Sequence, residues 1–158
     1  MAKPSGFTSM IFDANIFRIG QSRSPSADIS AVAILKKWSI SSDTVLGWSV
    51  GPTLQSLEVP SLHNGTWTLG ARSHFAIAHR FATQLKGFAS VGIGVHKGTL
   101  SEMEMIGHIG IMLPHLFLPD TMAPMIQMIG GGAVFLPQSG RAYYLPIYGA
   151  GVGVRWCF

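Results

Sequence analysis

The sequence predicts an all-β fold: a single domain spanning 1–158 that forms an eight-stranded antiparallel transmembrane β-barrel. Charged residues make up only 11% of the chain and the mean hydropathy is +0.35, whereas soluble domains carry about 25% charge. A spanning helix needs about 20 predominantly apolar residues, and the nearest candidate, 105–118, contains His108, Pro114 and His115. Much of the chain instead alternates apolar residues with small or polar ones, and a closed barrel is the other structure that lipid permits.

The last segment, 142–158, alternates almost without a break. One face of this segment carries bulky apolar residues, and the other is nearly all glycine with a single charge. Successive side chains of a strand point to opposite faces, so this composition suits a wall between lipid and a crowded lumen. Aromatic residues gather at membrane interfaces. We expect Trp156 and Phe158 at one interface, and Tyr144 and Tyr148 at the other.

Seven earlier segments follow the same period of two. After an N-terminal tail (1–6), they lie at about 7–19, 28–38, 44–56, 66–86, 88–97, 103–113 and 125–136. Loops are expected at 20–27, 58–65, 98–102 and 137–141, and opposite connections at 39–43, 86–87 and 114–124. Pro52 would be tolerated at a bulge or a strand end. An even number of strands places both termini on the same side.

The closing segment, with Tyr144 and then Trp156-Cys157-Phe158, resembles the last strand of small eight-stranded bacterial outer-membrane β-barrel proteins. The resemblance implies an integral protein of a Gram-negative outer membrane with both termini in the periplasm. It also implies contact with membrane lipids, including lipopolysaccharide, and recognition of the C-terminal strand by the barrel-assembly machinery. No signal peptide is visible at 1–6, so the chain is expected to be a mature form with an added start Met, with a protein that is not exported as the alternative.

Polar residues on the small faces are expected to converge in the lumen, which eight strands leave filled rather than open. Buried charges need partners, which predicts a structural network, with a proton path or small-solute channel as the alternative. Its expected members are Asp13, Asn15, Arg72, His74, Arg80, His108, Gln127 and Arg155. A metal site built from His74, His96 and His108 would need matching depths. No close-spaced His or Cys pair supports one, so neither a metal nor a cofactor is expected.

These observations predict a structural, adhesive or ligand- and lipid-binding role rather than catalysis. The first alternative is an enzyme that transfers or removes acyl chains on lipid A. Acyl transfer needs a nucleophile, a base and an orienting carboxylate, which Ser101, His96 and Glu104 supply near the expected extracellular rim. However, the His-x-Ser pair of the deacylase barrels and the Asp-Ser pair of the palmitoyl-transferring barrel match no position here. The second alternative is a soluble β-barrel that binds an apolar ligand. A net charge of +4 without a basic run gives no support for nucleic-acid binding.

Overall fold

A computed structural model describes residues 9–58, 66–98, 100–114, 121–136 and 141–157, and its eight strands close into one antiparallel barrel. The strands are β1 (Ser9–Ile19), β2 (Ser26–Ser39), β3 (Thr44–Leu57), β4 (Thr66–Ala82), β5 (Leu85–Gly98), β6 (Ser101–Met112), β7 (Met122–Leu136) and β8 (Tyr143–Cys157). Each strand pairs with the next, and β1 pairs with β8. The predicted fold class is therefore confirmed. Within the described ranges, no helix has the length and apolar character needed to span a bilayer.

Several strand ends differ from the predicted ones. The chain turns at 83–84, so β4 ends at Ala82 and the predicted turn at 86–87 lies inside β5. The predicted loop at 98–102 is also mostly strand, because β6 begins at Ser101. Lys86 and Glu102 resemble loop residues in the sequence, but both side chains lie on the inner face of the wall, where the lumen accepts polar groups.

Pro52 lies inside β3 and not at a bulge. The register between β2 and β3 is the same on either side of it, with Ser30 opposite Thr53 and Ala33 opposite Val50. The register shifts lie elsewhere, between Ile34 and Lys36 in β2 and between Arg80 and Ala82 in β4. Proline cannot donate a hydrogen bond to a neighbouring strand, but here that single missing donor does not displace the pairing.

The outer wall exposes large apolar side chains at alternate positions. Ile93 is 66% exposed, Met105 64% and Met128 68%. The neighbours of each along its own strand are glycine or lie on the inner face. Monomeric soluble proteins rarely expose continuous apolar patches larger than a few hundred Å². The second alternative, a soluble barrel, therefore does not account for this surface.

The lumen differs between its two ends. The loop end carries the connections 20–25, 58–65, 99–100 and 137–142, and the terminal end carries Ser9 and Cys157. At the loop end the lumen is filled by a buried apolar cluster, against which Tyr143 and Leu145 pack; its members are Phe17, Ile19, Leu57, Leu100, Ala133, Phe135 and Ile147. This apolar cluster closes one end of the barrel.

Candidate functional site in the lumen

Arg72 of β4 lies at the centre of the polar part of the lumen. Its side chain is 1% exposed, and its Nη2 lies 2.7 Å from Asp28 Oδ2. The same guanidinium binds Glu104 in a bidentate manner, with Nε donating to Oε1 and Nη2 donating to Oε2 at 3.1 Å. Charge-assisted, bidentate pairs of this kind are among the strongest hydrogen bonds in proteins. Arg72 therefore ties β2, β4 and β6 together across the lumen.

Amide and hydroxyl groups extend this arrangement into the Arg72 network. Asn15 Nδ2 donates to Asp28 Oδ1 at 2.7 Å and to Asp13 Oδ1 at 2.9 Å. Gln127 Nε2 donates to Asn15 Oδ1 at 2.8 Å. On the far side of Arg72, Gln55 Nε2 donates to Glu104 Oε2 at 3.3 Å. The network thus includes four residues that the sequence placed in the lumen: Asp13, Asn15, Arg72 and Gln127.

Glycines on the inner wall make room for these long side chains. A Cβ at Gly94 would overlap Glu104 Oε1 and would lie 3.0 Å from Arg72 Cγ. A Cβ at Gly70 would likewise overlap the ring of His96. The glycine-rich small faces seen in the sequence therefore let charged and aromatic side chains lie flat against the backbone inside a narrow barrel.

His96, Glu102 and Glu104 gather beside the Arg72 network, close to the apolar cluster. His96 and Glu102 are directly opposite one another on β5 and β6, and Gly94 is opposite Glu104. One ligand atom from each of the three side chains lies within 4.8 Å of the others, and His96 Nε2 is 3.9 Å from Glu104 Oε1. Within the described ranges, neither the Glu102 carboxylate nor the His96 ring has a hydrogen-bond partner.

A cavity of about 240 Å³ occupies the lumen toward the terminal end. His74 and His108 line its inner part, with ring centroids 5.1 Å apart and planes at 79°. Ser90 Oγ lies 3.2 Å from His108 Nδ1. The cavity also reaches four cationic side chains and two carboxylates, namely Lys37, Arg80, Lys86 and Arg155, and Asp13 and Asp43. It therefore combines imidazole groups inside with positive charge at its mouth.

Four of the eight predicted network members line the cavity instead of joining the Arg72 network, namely His74, Arg80, His108 and Arg155. Arg80 is 47% exposed and pairs with Asp43 of the β2–β3 turn at 2.7 Å, so its placement in the buried network is wrong. It lies there because β4 continues past the enclosed part of the lumen to the mouth of the cavity. Hydrogen bonds from Ser42 and then from Arg80 lower the pKa of Asp43. Arg155 also lines the cavity rather than the network.

The structure does not assemble the predicted acyl-transfer trio. It brings His96 and Glu104 together in the lumen, but it places Ser101 on the outer face. Ser101 pairs with the exposed Leu136, whereas its neighbour Glu102 pairs with the buried Phe135. The rim arrangement is therefore wrong: the hydroxyl and the imidazole lie on opposite sides of the wall.

Three buried residues of the site were missing from the sequence prediction. Glu102 was assigned to a loop, Asp28 to a strand start and Gln55 to a strand end. Asp28 could have been found, because it alternates with Ile29 and shares its face with Ser30. The role of Gln55 could not have been found from the sequence, because its partners depend on strand register.

The interface aromatics of β8 lie on the outer wall. Tyr144, Tyr148 and Trp156 are all exposed there. Tyr144 lies over Gly132 of β7, where a Cβ would overlap its ring. The fourth predicted member, Phe158, and the N-terminal tail lie outside the described residues.

No known family model matches the chain, and no curated protein sequence matches it. Solved structures do. The crystal structure of Neisserial surface protein A (NspA) is 12% identical over 98% of each chain, with a TM-score of 0.56. A de novo designed transmembrane β-barrel is 10% identical over 100% of each chain, with a TM-score of 0.52. Ail, the attachment invasion locus protein of Yersinia pestis, is 10% identical over 94% of this chain and 97% of its own, with a TM-score of 0.50. The resemblance to small bacterial outer-membrane barrels is thus confirmed at the level of fold, and the chain is an eight-stranded antiparallel transmembrane β-barrel.

Proposed function

We propose that this chain is a non-conducting, integral protein of the bacterial outer membrane that binds a small anionic ligand in its lumen. The observation that carries the proposal is the asymmetry of the lumen. The apolar cluster and the Arg72 network fill one end, and the cavity of about 240 Å³ extends toward the other. An eight-stranded barrel has an interior just wide enough for side chains or one small ligand, and this lumen combines side-chain packing at one end with room for a small ligand at the other.

The apolar outer wall and the closing strand support the outer-membrane location. With the termini in the periplasm, the cavity mouth would face the periplasm. The barrel-assembly machinery would then recognise β8, and deletion of Phe158 should reduce the amount of assembled protein in outer-membrane fractions. An undiminished amount in that variant would count against this location.

The side chains of the cavity favour an anion. Cationic side chains outnumber carboxylates in its lining by four to two, while His74 and His108 offer hydrogen-bonding nitrogens deeper inside. Pockets for drug-sized ligands start at about 300 Å³, so a cavity of about 240 Å³ suits a smaller molecule. The short loop-end connections, such as 20–25 and 99–100, offer little surface for adhesion.

Two measurements test the proposal. In planar bilayers the folded protein should show no stepwise conductance. In detergent, succinate should shift the imidazole NMR signals of His74 and His108 in a saturable manner. Lys86→Gln should weaken this binding, whereas Lys97→Gln, at the other end of β5, should not. Stepwise conductance, or the absence of saturable shifts with succinate, would refute the corresponding half of the proposal.

A further inference from the structure

We propose that His96, Glu102 and Glu104 form a buried binding site for a divalent transition-metal cation such as Zn²⁺. None of the three residues lines the cavity proposed above for an anion. This site is therefore independent of that function, and it replaces the expectation from the sequence that no metal is bound.

The strand pairing brings the three side chains to one place. His96 and Glu102 face each other across β5 and β6, and Glu102 and Glu104 are two residues apart on the same face. Two ligand atoms on a tetrahedral Zn²⁺, each at about 2.0–2.1 Å, lie roughly 3.4 Å apart. His96 Nε2 and Glu104 Oε1 are 3.9 Å apart, and one ligand atom from each residue lies within 4.8 Å of the others. Small side-chain rotations would close this group around an ion.

An independent observation also indicates a missing ligand. Glu102 is 1% exposed, and both of its carboxylate oxygens lack a hydrogen-bond partner among the described residues. Both ring nitrogens of His96 are equally without one in that part of the chain. Buried polar groups are normally hydrogen-bonded, and buried charges are paired or coordinate metals. Unsatisfied nitrogen and oxygen atoms so close together are the groups that a metal ion would satisfy.

The charges of the lumen favour a cation at this position. Arg72 already contacts Asp28 and Glu104, so its one positive charge is shared by two carboxylates before Glu102 is counted. With Glu102 the excess is two negative charges, and a protonated His96 imidazole would offset only one of them. A divalent ion would offset the excess and would leave Arg72 in place.

The ligand types identify the class of metal. One imidazole nitrogen and two carboxylate oxygens suit Zn²⁺ and related first-row ions, whereas Ca²⁺ and Mg²⁺ prefer oxygen ligands alone. Thiolate ligation is not available, because the chain's one cysteine, Cys157, lies at the end of β8. Three protein ligands would leave one position of a tetrahedral ion for water.

The test measures Zn²⁺ binding by the folded protein in detergent. Protein refolded with EDTA and then freed of chelator is titrated against a chromogenic Zn²⁺ indicator. We expect one Zn²⁺ per chain, and at least about tenfold weaker binding in Glu102→Gln and in His96→Asn, since loss even of a residue that only supports a ligand costs about 10–100-fold. His79→Asn is the matched control, because this histidine is exposed near the β2–β3 turn. Co²⁺ provides a second measurement: its visible absorption band should appear in the wild type and be absent in Glu102→Gln.

Three results would overturn the proposal. The first is a wild-type protein that binds less than one equivalent even when it is refolded with Zn²⁺, which would mean that a proton alone neutralises Glu102. The second is Glu102→Gln binding as tightly as the wild type. The third is an equal loss in His79→Asn. Heat-modifiable gel mobility verifies folding of each variant, and His96→Asn, which leaves every carboxylate in place, keeps the test valid if Glu102→Gln does not fold.

Discussion

Replacing Arg72 with methionine should strongly destabilise the barrel. Methionine fills much of the same space, so the main change is the loss of the guanidinium. The side chains of Asp28 and Glu104, both 0% exposed, would then remain buried without their cation. Removing one partner of a buried ion pair costs about 3–5 kcal/mol. Because Arg72 serves two carboxylates, we expect a loss in the upper half of that range, a large share of the roughly 5–15 kcal/mol typical of folded proteins.

The chain offers a matched control for this experiment. The Arg80–Asp43 pair has the same 2.7 Å separation as Arg72–Asp28, but its side chains are 47% and 40% exposed. Exposed ion pairs are weakened by solvent and salt. Arg80→Met should therefore leave the free energy of unfolding unchanged within experimental error, and only the buried pair should respond.

Equilibrium unfolding in lipid vesicles, followed by tryptophan fluorescence over a denaturant range, measures both variants. Asp28→Asn and Glu104→Gln added to Arg72→Met should restore much of the lost stability, because they remove the uncompensated charges. A loss below about 1 kcal/mol in Arg72→Met, against the range expected for buried pairs, would refute the reasoning. So would an equal loss in Arg80→Met.

Three further predictions follow from the wall, its lipid face and its turn. Gly94→Ala should destabilise the barrel by about 1–3 kcal/mol through overpacking, whereas Gly130→Ala, with open space around its Cβ, should not; equal unfolding curves would contradict this. Met105→Arg on the lipid face should lower the free energy of unfolding by about 2–4 kcal/mol if the residue lies near the bilayer midplane. Unfolding in lipid vesicles measures this, and an unchanged free energy would contradict the prediction. Hydrogen bonds from Ser42 and then from Arg80 lower the pKa of Asp43. Their contribution to the stability of the folded state is therefore present above the ordinary pKa of an Asp carboxyl and is lost as the pH falls through the lowered pKa of Asp43. Carboxyl NMR should therefore show Asp43 titrating at higher pH in Arg80→Gln, and an unshifted midpoint would exclude that role.

The side of the wall on which a residue lies could be predicted from the sequence, because the period of a strand is fixed at two. The apolar residues Ile93 and Met105 lie outside, and the polar residues Arg72 and His108 lie inside. The same rule rejects the acyl-transfer trio once Ser101 is known to belong to β6 and not to the predicted loop at 98–102. Ser101 and Glu104 are three positions apart on one strand, and an odd separation puts two side chains on opposite faces.

The contacts inside the lumen could not be predicted, because they depend on how far each strand is shifted against its neighbours. Arg72 meets Asp28 across strands that are not adjacent. His96 lies opposite Glu102 because β5 and β6 are joined only by residues 99–100, whereas the sequence pattern predicted a longer loop at 98–102. Polar residues near strand ends resemble loop residues unless the lumen is known to need them.

The Arg72 network also constrains the order in which the barrel can form. Asn15 in β1 accepts its hydrogen bond from Gln127 in β7, 112 residues later in the chain, and β1 meets β8 only when the sheet closes. A partly inserted sheet would hold Asp28, Arg72 and Glu104 beside lipid or trapped water without their full set of partners, which is costly in hydrocarbon. The polar interior therefore disfavours stable half-barrels and makes closure a cooperative step. In this way, charges that never contact lipid can select against incompletely assembled chains.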